Sequence, residues 1–350
     1  MDGLTPYIEA LQSFLSYPSD PSKRVYGVYI LGTLGILLLM ALWQRLRPSG
    51  PGERNALQVF FNPRVWTHPS ARLDYQLVVI NPLIQTFFAG LASLSLVPVA
   101  LQVSDSLSVL LGSVSLEWPR ARVTLAFTLA LFVADDFSRF LLHYLMHKVP
   151  WLWSIHRLHH SAEVLTPLTV YRIHPIESLL YSLRMVLAQG LVLGLFFFAF
   201  GMRLSAWEIA GANLFTYAFN FAGSNLRHSH VWLSFGPWLE RIFISPAQHQ
   251  IHHSNAPRHF DRNMGSFLAV WDGLFGTLTP ARGETVTGFG LRQNQPSPHT
   301  HLLNAYGEPV LDLGRQMVRF YPVRPVEKGT PSLSGQNSEV SANEVANYYH

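Results

Sequence analysis

Eight histidines fall into three short runs: His143 and His147, then His156, His159 and His160, and much further along the chain His249, His252 and His253. On a helix, residues three and four apart share a face, so the first pair and each His-x-x-His-His run are expected to converge on one point. Neutral imidazole suits iron, zinc and copper, and so many nitrogens exceed what a single tetrahedral ion can use. Two metal ions are the natural occupants. Ordinary core packing is the competing reading, but buried imidazoles need partners that they cannot all supply to one another. His68, His259, His299, His301 and His350 have no such company and are read as surface residues.

The elements that must carry these runs look like membrane helices. The chain has 350 residues, 49% hydrophobic and only 13% charged, with a mean hydropathy of +0.17, whereas soluble domains are about a quarter charged. The net charge of +4 is spread between apolar runs and forms no patch interleaved with aromatics, which argues against nucleic acid. There is no cysteine, so thiolate metal sites, iron–sulfur clusters and disulfides are excluded. Asp2, Glu9 and Asp20 precede the first apolar run, and no cleaved signal peptide is expected.

Apolar spans are predicted at about 25–43, 75–101, from 123 into the first histidine pair, 179–200 and 204–221, with loops at 48–72 and around Asp105, Glu117 and Pro119. Arg45, Arg47, Arg54, Arg64 and Arg72 outnumber Lys23 and Arg24 across the first span, which puts the 45–72 loop and all three histidine runs on the cytoplasmic side. The expected fold is therefore all-α, a polytopic membrane bundle of about 4–5 transmembrane helices with a cytoplasmic histidine-rich cap. Residues 1–120 would hold N-terminal spans, 121–280 the histidine-bearing domain, and 281–350 an extension with little periodicity and a disordered tail beyond about 327.

These runs, with Asp135-Asp136-Phe137 before them and Asn263-Met264-Gly265 and Trp271-Asp272-Gly273-Leu274-Phe275-Gly276-Thr277 after them, resemble the fatty acid hydroxylase and sterol desaturase superfamily of integral-membrane di-iron enzymes. The resemblance covers about residues 120–280. It implies that the eight histidines are iron ligands and that a ninth comes from Asn225-Leu226-Arg227-His228-Ser229-His230, with His228 the first choice and His230 the alternative. Where some members place a further histidine this chain has Ser224. His174 is expected to brace the site, and Asp135, Asp136, Glu163 and Asp272 are the carboxylates expected to accept the second ring N–H of a ligand histidine.

The resemblance also implies two Fe ions, O2 as co-substrate, and hydroxylation of an unactivated C–H bond in a fatty acyl chain, sterol or related lipid. Desaturation by the same superfamily's chemistry is the alternative. No flavin, nicotinamide or haem motif is present, so a separate reductase or electron carrier must supply electrons. Arg157, Arg172, Arg241, Arg258 and Arg262 are its expected docking surface, unless they meet anionic lipid headgroups. Localisation follows as multi-pass, in a bacterial inner membrane or the endoplasmic reticulum. Two other classes compete: a two-zinc membrane hydrolase, active without O2, and a transporter, whose site would sit near the bilayer midplane on broken helices.

Overall fold

The computed structural model describes residues 14–46, 55–89, 95–201, 214–292 and 297–320, with Ile8 and Gln12. Among the described residues the chain is helical and holds no strand, only isolated bridges at Phe243–Leu268 and Ser254–Phe289. The helices that position the histidines are α1 (Gly27–Arg45), α2 (Pro69–Ala89), α3 (Leu96–Leu111), α4 (Arg120–Lys148), α5 (Pro150–His160), α6 (Pro175–Phe200), α7 (Leu214–Phe221), α8 (Pro246–His252) and α9 (Leu302–Phe320).

Helices α1 and α6 are long and apolar enough to cross a membrane, and only 28% of each apolar window is buried inside the protein. Their remaining surface is greasy: Leu31, Leu38, Leu39 and Leu42 on α1 and Leu187, Leu191 and Leu195 on α6 are exposed. Val109, Leu110 and Leu111 of α3 and Leu125, Leu129 and Val133 of α4 are exposed as well. Apolar area of this extent is not left to water in a soluble monomer.

The predicted span at 75–101 is instead two helices, α2 and α3, and Asp105 lies inside α3 rather than in a loop. Residues 90–94 between them lie outside the described residues, as do most of the expected fifth span, Arg47, Arg54, His350 and the tail beyond 327. The expected aperiodic extension contains α9. Its Leu302, Ala305 and Tyr306, at helical spacing, close over Leu73 and Leu77 of α2 and Leu158 of α5. Arg157 pairs with Asp312, and Gln316 donates to Ser154 Oγ at 2.6 Å.

Packing within the apolar half rests on a close crossing of α3 and α6. Phe127 and Leu131 of α4 join Ala100 of α3 and Val192 and Leu193 of α6 in one core. Gly190 and Gly194, one turn apart, let the backbones approach, in the small-residue pattern by which helices associate in lipid. A Cβ at Gly194 would stand 2.6 Å from the Ala100 carbonyl oxygen, and one at Gly190 2.6 Å from Val99 Cγ1. Backbone cannot yield as a side chain can, so Gly194→Val is expected to cut the yield of folded, monodisperse protein several-fold, read by size-exclusion chromatography, while Gly35→Val, which meets nothing within 4 Å, leaves it unchanged.

Prolines and caps set where the histidine helices begin and end. Pro150 cannot continue α4, whose last residue before the break is Lys148, and it starts α5 at the first-turn position where its missing N–H costs nothing. The junction turns the chain so that α4 and α5 present their histidines to each other. Ser245 and Gln248 form a reciprocal capping box at the start of α8, each side chain bonding the other's backbone N–H.

Candidate metal centre

The histidines meet between α4, α5, α8 and the short 3-10 turn Ser224–His228. Two adjoining groups form, in each of which the ring nitrogens lie within 4.8 Å of one another. His143, His147, His156, His160 and His252 make the first; His159, His228, His249 and His253 make the second. The groups touch, with the His160 and His253 ring centroids 4.6 Å apart.

The geometry differs from the expected convergence of each run on one point. Rings four residues apart share a group, as His143/His147, His156/His160 and His249/His253 do, whereas His159 and His252 sit to the flank and reach the other group. Each His-x-x-His-His run is thus divided, and α5 and α8 each feed both groups. His228 joins the second group, with its Nε2 3.0 Å from that of His249 and 3.4 Å from that of His159. His230 does not join; its Nε2 accepts the Leu165 N–H at 3.3 Å and its ring lies against Phe289.

Five rings are oriented by acceptors behind them. Nδ1 of His143 faces the Met264 carbonyl at 2.7 Å, that of His252 the Arg262 carbonyl at 2.7 Å, and that of His159 the Arg172 carbonyl at 3.3 Å. Nδ1 of His156 faces Glu177 Oε1 at 2.8 Å and that of His147 faces Asp261 Oδ1 at 3.2 Å. Carbonyl and carboxylate oxygens only accept, so each of these rings carries its proton on Nδ1 and turns the Nε2 lone pair inward. Nε2 of His147, His160 and His252 is buried with no hydrogen-bond partner, a costly state unless something electropositive occupies the centre. His249 has a cation behind it instead: the Arg227 guanidinium stands 3.3 Å from its Nδ1, and its Nε2 faces those of His228 and His253 at 3.0 and 3.2 Å.

The expected carboxylates do other work. Asp136 accepts from the Phe267 and Leu268 N–H groups and the Trp271 indole, and hydrogen-bonds none of the clustered rings. Asp272 accepts from the Met264 and Gly265 N–H groups and Thr277 Oγ, so it braces the loop whose Met264 carbonyl holds His143. Asp135 is bound by Arg184 at 3.0 Å, and Glu163 accepts from Ser297 N at 3.0 Å. His174 caps α6 by accepting the Ile176 N–H, with its Nε2–H directed to the Tyr306 carbonyl at 3.2 Å.

Glu177 and Asp261 hold the positions that sequence reasoning assigns elsewhere. Glu177 sits in the first turn of α6, three residues after the capping His174. Asp261 and Asn263 both have positive φ, 58° and 53°, a region that Asp and Asn tolerate better than other non-glycine residues. That turn aims the Arg262 and Met264 carbonyls back at α8 and α4. Gly265 follows because a Cβ there would lie 2.6 Å from the Leu268 carbonyl and 2.8 Å from Asp272 Oδ2.

Two histidines expected at the surface are buried, each 1% exposed. His259 bonds Glu284 at 2.9 Å, and the His299 carbonyl accepts from the Arg172 guanidinium at 3.1 Å. Arg172 itself is 0% exposed by side chain and paired with Asp74 at 3.0 Å, which removes it from any docking surface.

Burial keeps the clustered rings neutral. It lowers the His156 pKa to about 3 and that of His159 to about 4, the latter with help from the charge of His156. A depressed folded-state value means that protons bind the unfolded chain first, so this stability is fully present above the ordinary value of 6.5 and is lost as pH falls through the folded values. Metal-stripped protein is accordingly expected to melt at progressively lower temperature as pH drops from about 7 to about 4, with the metal-loaded form falling later; a flat profile in both would contradict neutral burial.

Among the described residues, an all-helical scaffold with a greasy exterior carries nine imidazoles in two adjoining groups that could each hold a metal ion. Residues 128–277, which carry every clustered histidine, match the family model described as fatty acid hydroxylase. Alkylglycerol monooxygenase of Xenopus tropicalis is 26% identical over 157 residues, 45% of this chain and 31% of that protein. Ornithine lipid hydroxylase OlsE of Rhizobium tropici is 30% identical over 176 residues, 50% of this chain and 47% of that protein. Delta(7)-sterol 5(6)-desaturase of Eremothecium gossypii is 28% identical over 159 residues, 45% of this chain and 39% of that protein. The chain thus spans a third to a half of the length of these relatives, and no solved structure gives a significant match.

Proposed function

We propose that the protein is a multi-pass membrane oxygenase that uses two iron ions and O2 to oxidise, most often by hydroxylation, an unactivated C–H bond of a lipid. The observation that carries this reading is the pair of adjoining all-nitrogen groups, in which five rings are held by acceptors on Nδ1 with Nε2 turned inward. His143, His147, His156, His160 and His252 would hold one ion and His159, His228, His249 and His253 the other. When bound, the irons supply electrons to O2 and an oxidant strong enough for an aliphatic C–H bond. Zinc prefers four ligands and has no redox chemistry, so a five-nitrogen group beside a four-nitrogen one suits it poorly.

The protein's own residues bind, orient and exclude. Glu177, Asp261 and the Met264, Arg262 and Arg172 carbonyls hold five rings in one tautomer, the arrangement that keeps a metal-binding ring basic and fixed. The apolar helices would keep water from the reacting carbon. The histidine centre would face the cytoplasm, where a separate electron donor docks. Arg157 and Arg258 are paired with Asp312 and Glu284, which leaves Arg241 and Arg262 as the docking cations of the expected set.

Metal analysis of the purified protein, with lipid mass spectrometry of cells that carry or lack the gene, tests the reading. Two irons per chain and an O2-dependent product heavier by one oxygen, or lighter by two hydrogens for desaturation, are expected. Zinc in place of iron, or product formed without O2, would sink it.

A further inference from the structure

A cavity of about 310 Å3 opens onto the histidine centre, lined among others by His143, His156, Glu177, Arg24, Arg139 and Arg227. A second chamber of about 180 Å3 shares Arg24, Arg139 and Ser266 with it. Three guanidiniums therefore converge beside the metal groups. Arg24 donates to Asn220 Oδ1 and Ser224 Oγ, at 2.5 and 2.6 Å. Arg227, which is buried, donates to the Ser266 and Gly265 carbonyls, at 2.5 and 3.0 Å. Among the described residues no carboxylate pairs with either.

Arg139 reaches one Asp135 oxygen at 3.5 Å, but Arg184 holds the other at 3.0 Å. The nearby acids are committed elsewhere: Asp136 to Phe267, Leu268 and Trp271, and Glu177 to His156. Burial and then the charge of Arg139 lower the Arg24 pKa to about 10. Guanidinium charge withdrawn from water without a counter-ion is costly, and planar guanidinium is the side chain best matched to carboxylate and phosphate oxygens.

We propose that Arg24, Arg139 and Arg227 bind the anionic headgroup of the substrate lipid, a phosphate or carboxylate, and so place a carbon close to that headgroup at the metal centre. The proposal rests on the lipid-oxygenase reading and adds a substrate class to it. Two observations limit where the oxidised carbon lies. Arg227 Nη2 is 3.3 Å from His249 Nδ1, so an anion on that guanidinium is separated from the centre by little more than one imidazole. The cavity volume is at the small end of the usual range for ligand pockets, about 300–1,000 Å3, enough for a headgroup and its first carbons but not for a whole long acyl chain.

Matched single-chain lipids test this directly on the full-length, iron-loaded protein in neutral detergent. Oleoyl-lysophosphatidate and oleoylglycerol share one tail and differ in the anion, and inorganic phosphate supplies the anion without a tail. Wild type is expected to bind lysophosphatidate at least about tenfold more tightly than oleoylglycerol, a difference of about 1.4 kcal/mol. Arg139→Gln, whose side chain is 40% exposed and therefore safe for folding, and Arg24→Gln should each erase that preference while leaving oleoylglycerol binding and iron content as in wild type. Equal affinity for the two lipids, or a preference that survives both substitutions, overturns the proposal. Phosphate binding as tightly as lysophosphatidate overturns its lipid part and leaves a free-anion site. Iron measured on the same samples separates this failure from failure of the oxygenase reading, because lipid preference is read without turnover.

Discussion

Replacing His252 with alanine is expected to bring lipid oxidation to background and to reduce bound iron, whereas His301→Ala changes neither. His252 stands at the junction of the two histidine groups. Its ring centroid is 4.7 Å from that of His143, 4.9 Å from His147 and 4.6 Å from His160, and 5.2 Å from His253 in the neighbouring group. Nδ1 is fixed by the Arg262 carbonyl, and Nε2 is buried without a partner. Truncation would remove an inward nitrogen that no nearby side chain can replace, and the effect should exceed the 10–100-fold loss typical of changing the groups behind a ligand. His301 is exposed at the start of α9. Iron per chain, circular dichroism and elution volume measured together separate loss of a ligand from loss of the fold. A folded His252→Ala protein with full iron and full turnover would mean that the division of rings between the two groups is wrong.

How far this centre can be read in the sequence depends on what kind of contact each residue makes. The three histidine runs stand out because a repeated spacing of rare residues survives without coordinates, and His228 is reached only through the family resemblance. Which ring enters which group does not, since it depends on the roll of α5 and α8 and on the turn between α4 and α5. Three of the five groups behind the rings are backbone carbonyls, which have no residue-type signal at all. Asp135 and Asp136 stand out by their position before the first pair, yet they serve Arg184 and the Phe267–Trp271 turn. Asp261 is effective only because a left-handed turn points it at His147.

The same limit explains the burial of His259 and His299. Their partners, Glu284 and Arg172, are distant in sequence. Helix α9 is concealed differently. Gly307, Pro309 and Gly314 lower its local propensity, so the stripe of Leu302, Ala305 and Tyr306 becomes meaningful only against α2 and α5. Apolar runs, by contrast, report which segments are greasy but not where one helix ends, and so 75–101 reads as one span where there are two helices.

Arg172→Leu is expected to be the most destabilising single change outside the histidines, at about 3–5 kcal/mol. The guanidinium is wholly buried and ties three elements together. It donates to Asp74 of α2 at 3.0 Å, to the Leu158 carbonyl and Ser161 Oγ at the end of α5 at 2.9 Å each, and to the His299 carbonyl ahead of α9 at 3.1 Å. Without it the Asp74 carboxylate would keep only the Thr169 hydroxyl, 2.7 Å away, and would be a buried charge with no cation. Arg172 also presents the carbonyl that holds His159, so loosening this segment should lower iron in the second group before the first. Because most of the cost comes from stranding Asp74, the double variant Arg172→Leu/Asp74→Leu should recover part of the stability lost by the single one. Thermal denaturation of the three proteins in one detergent decides the matter: a double variant no more stable than Arg172→Leu would assign the loss to the carbonyl contacts of the guanidinium, and an unchanged single variant would remove the clamp from the account of how the histidines are held.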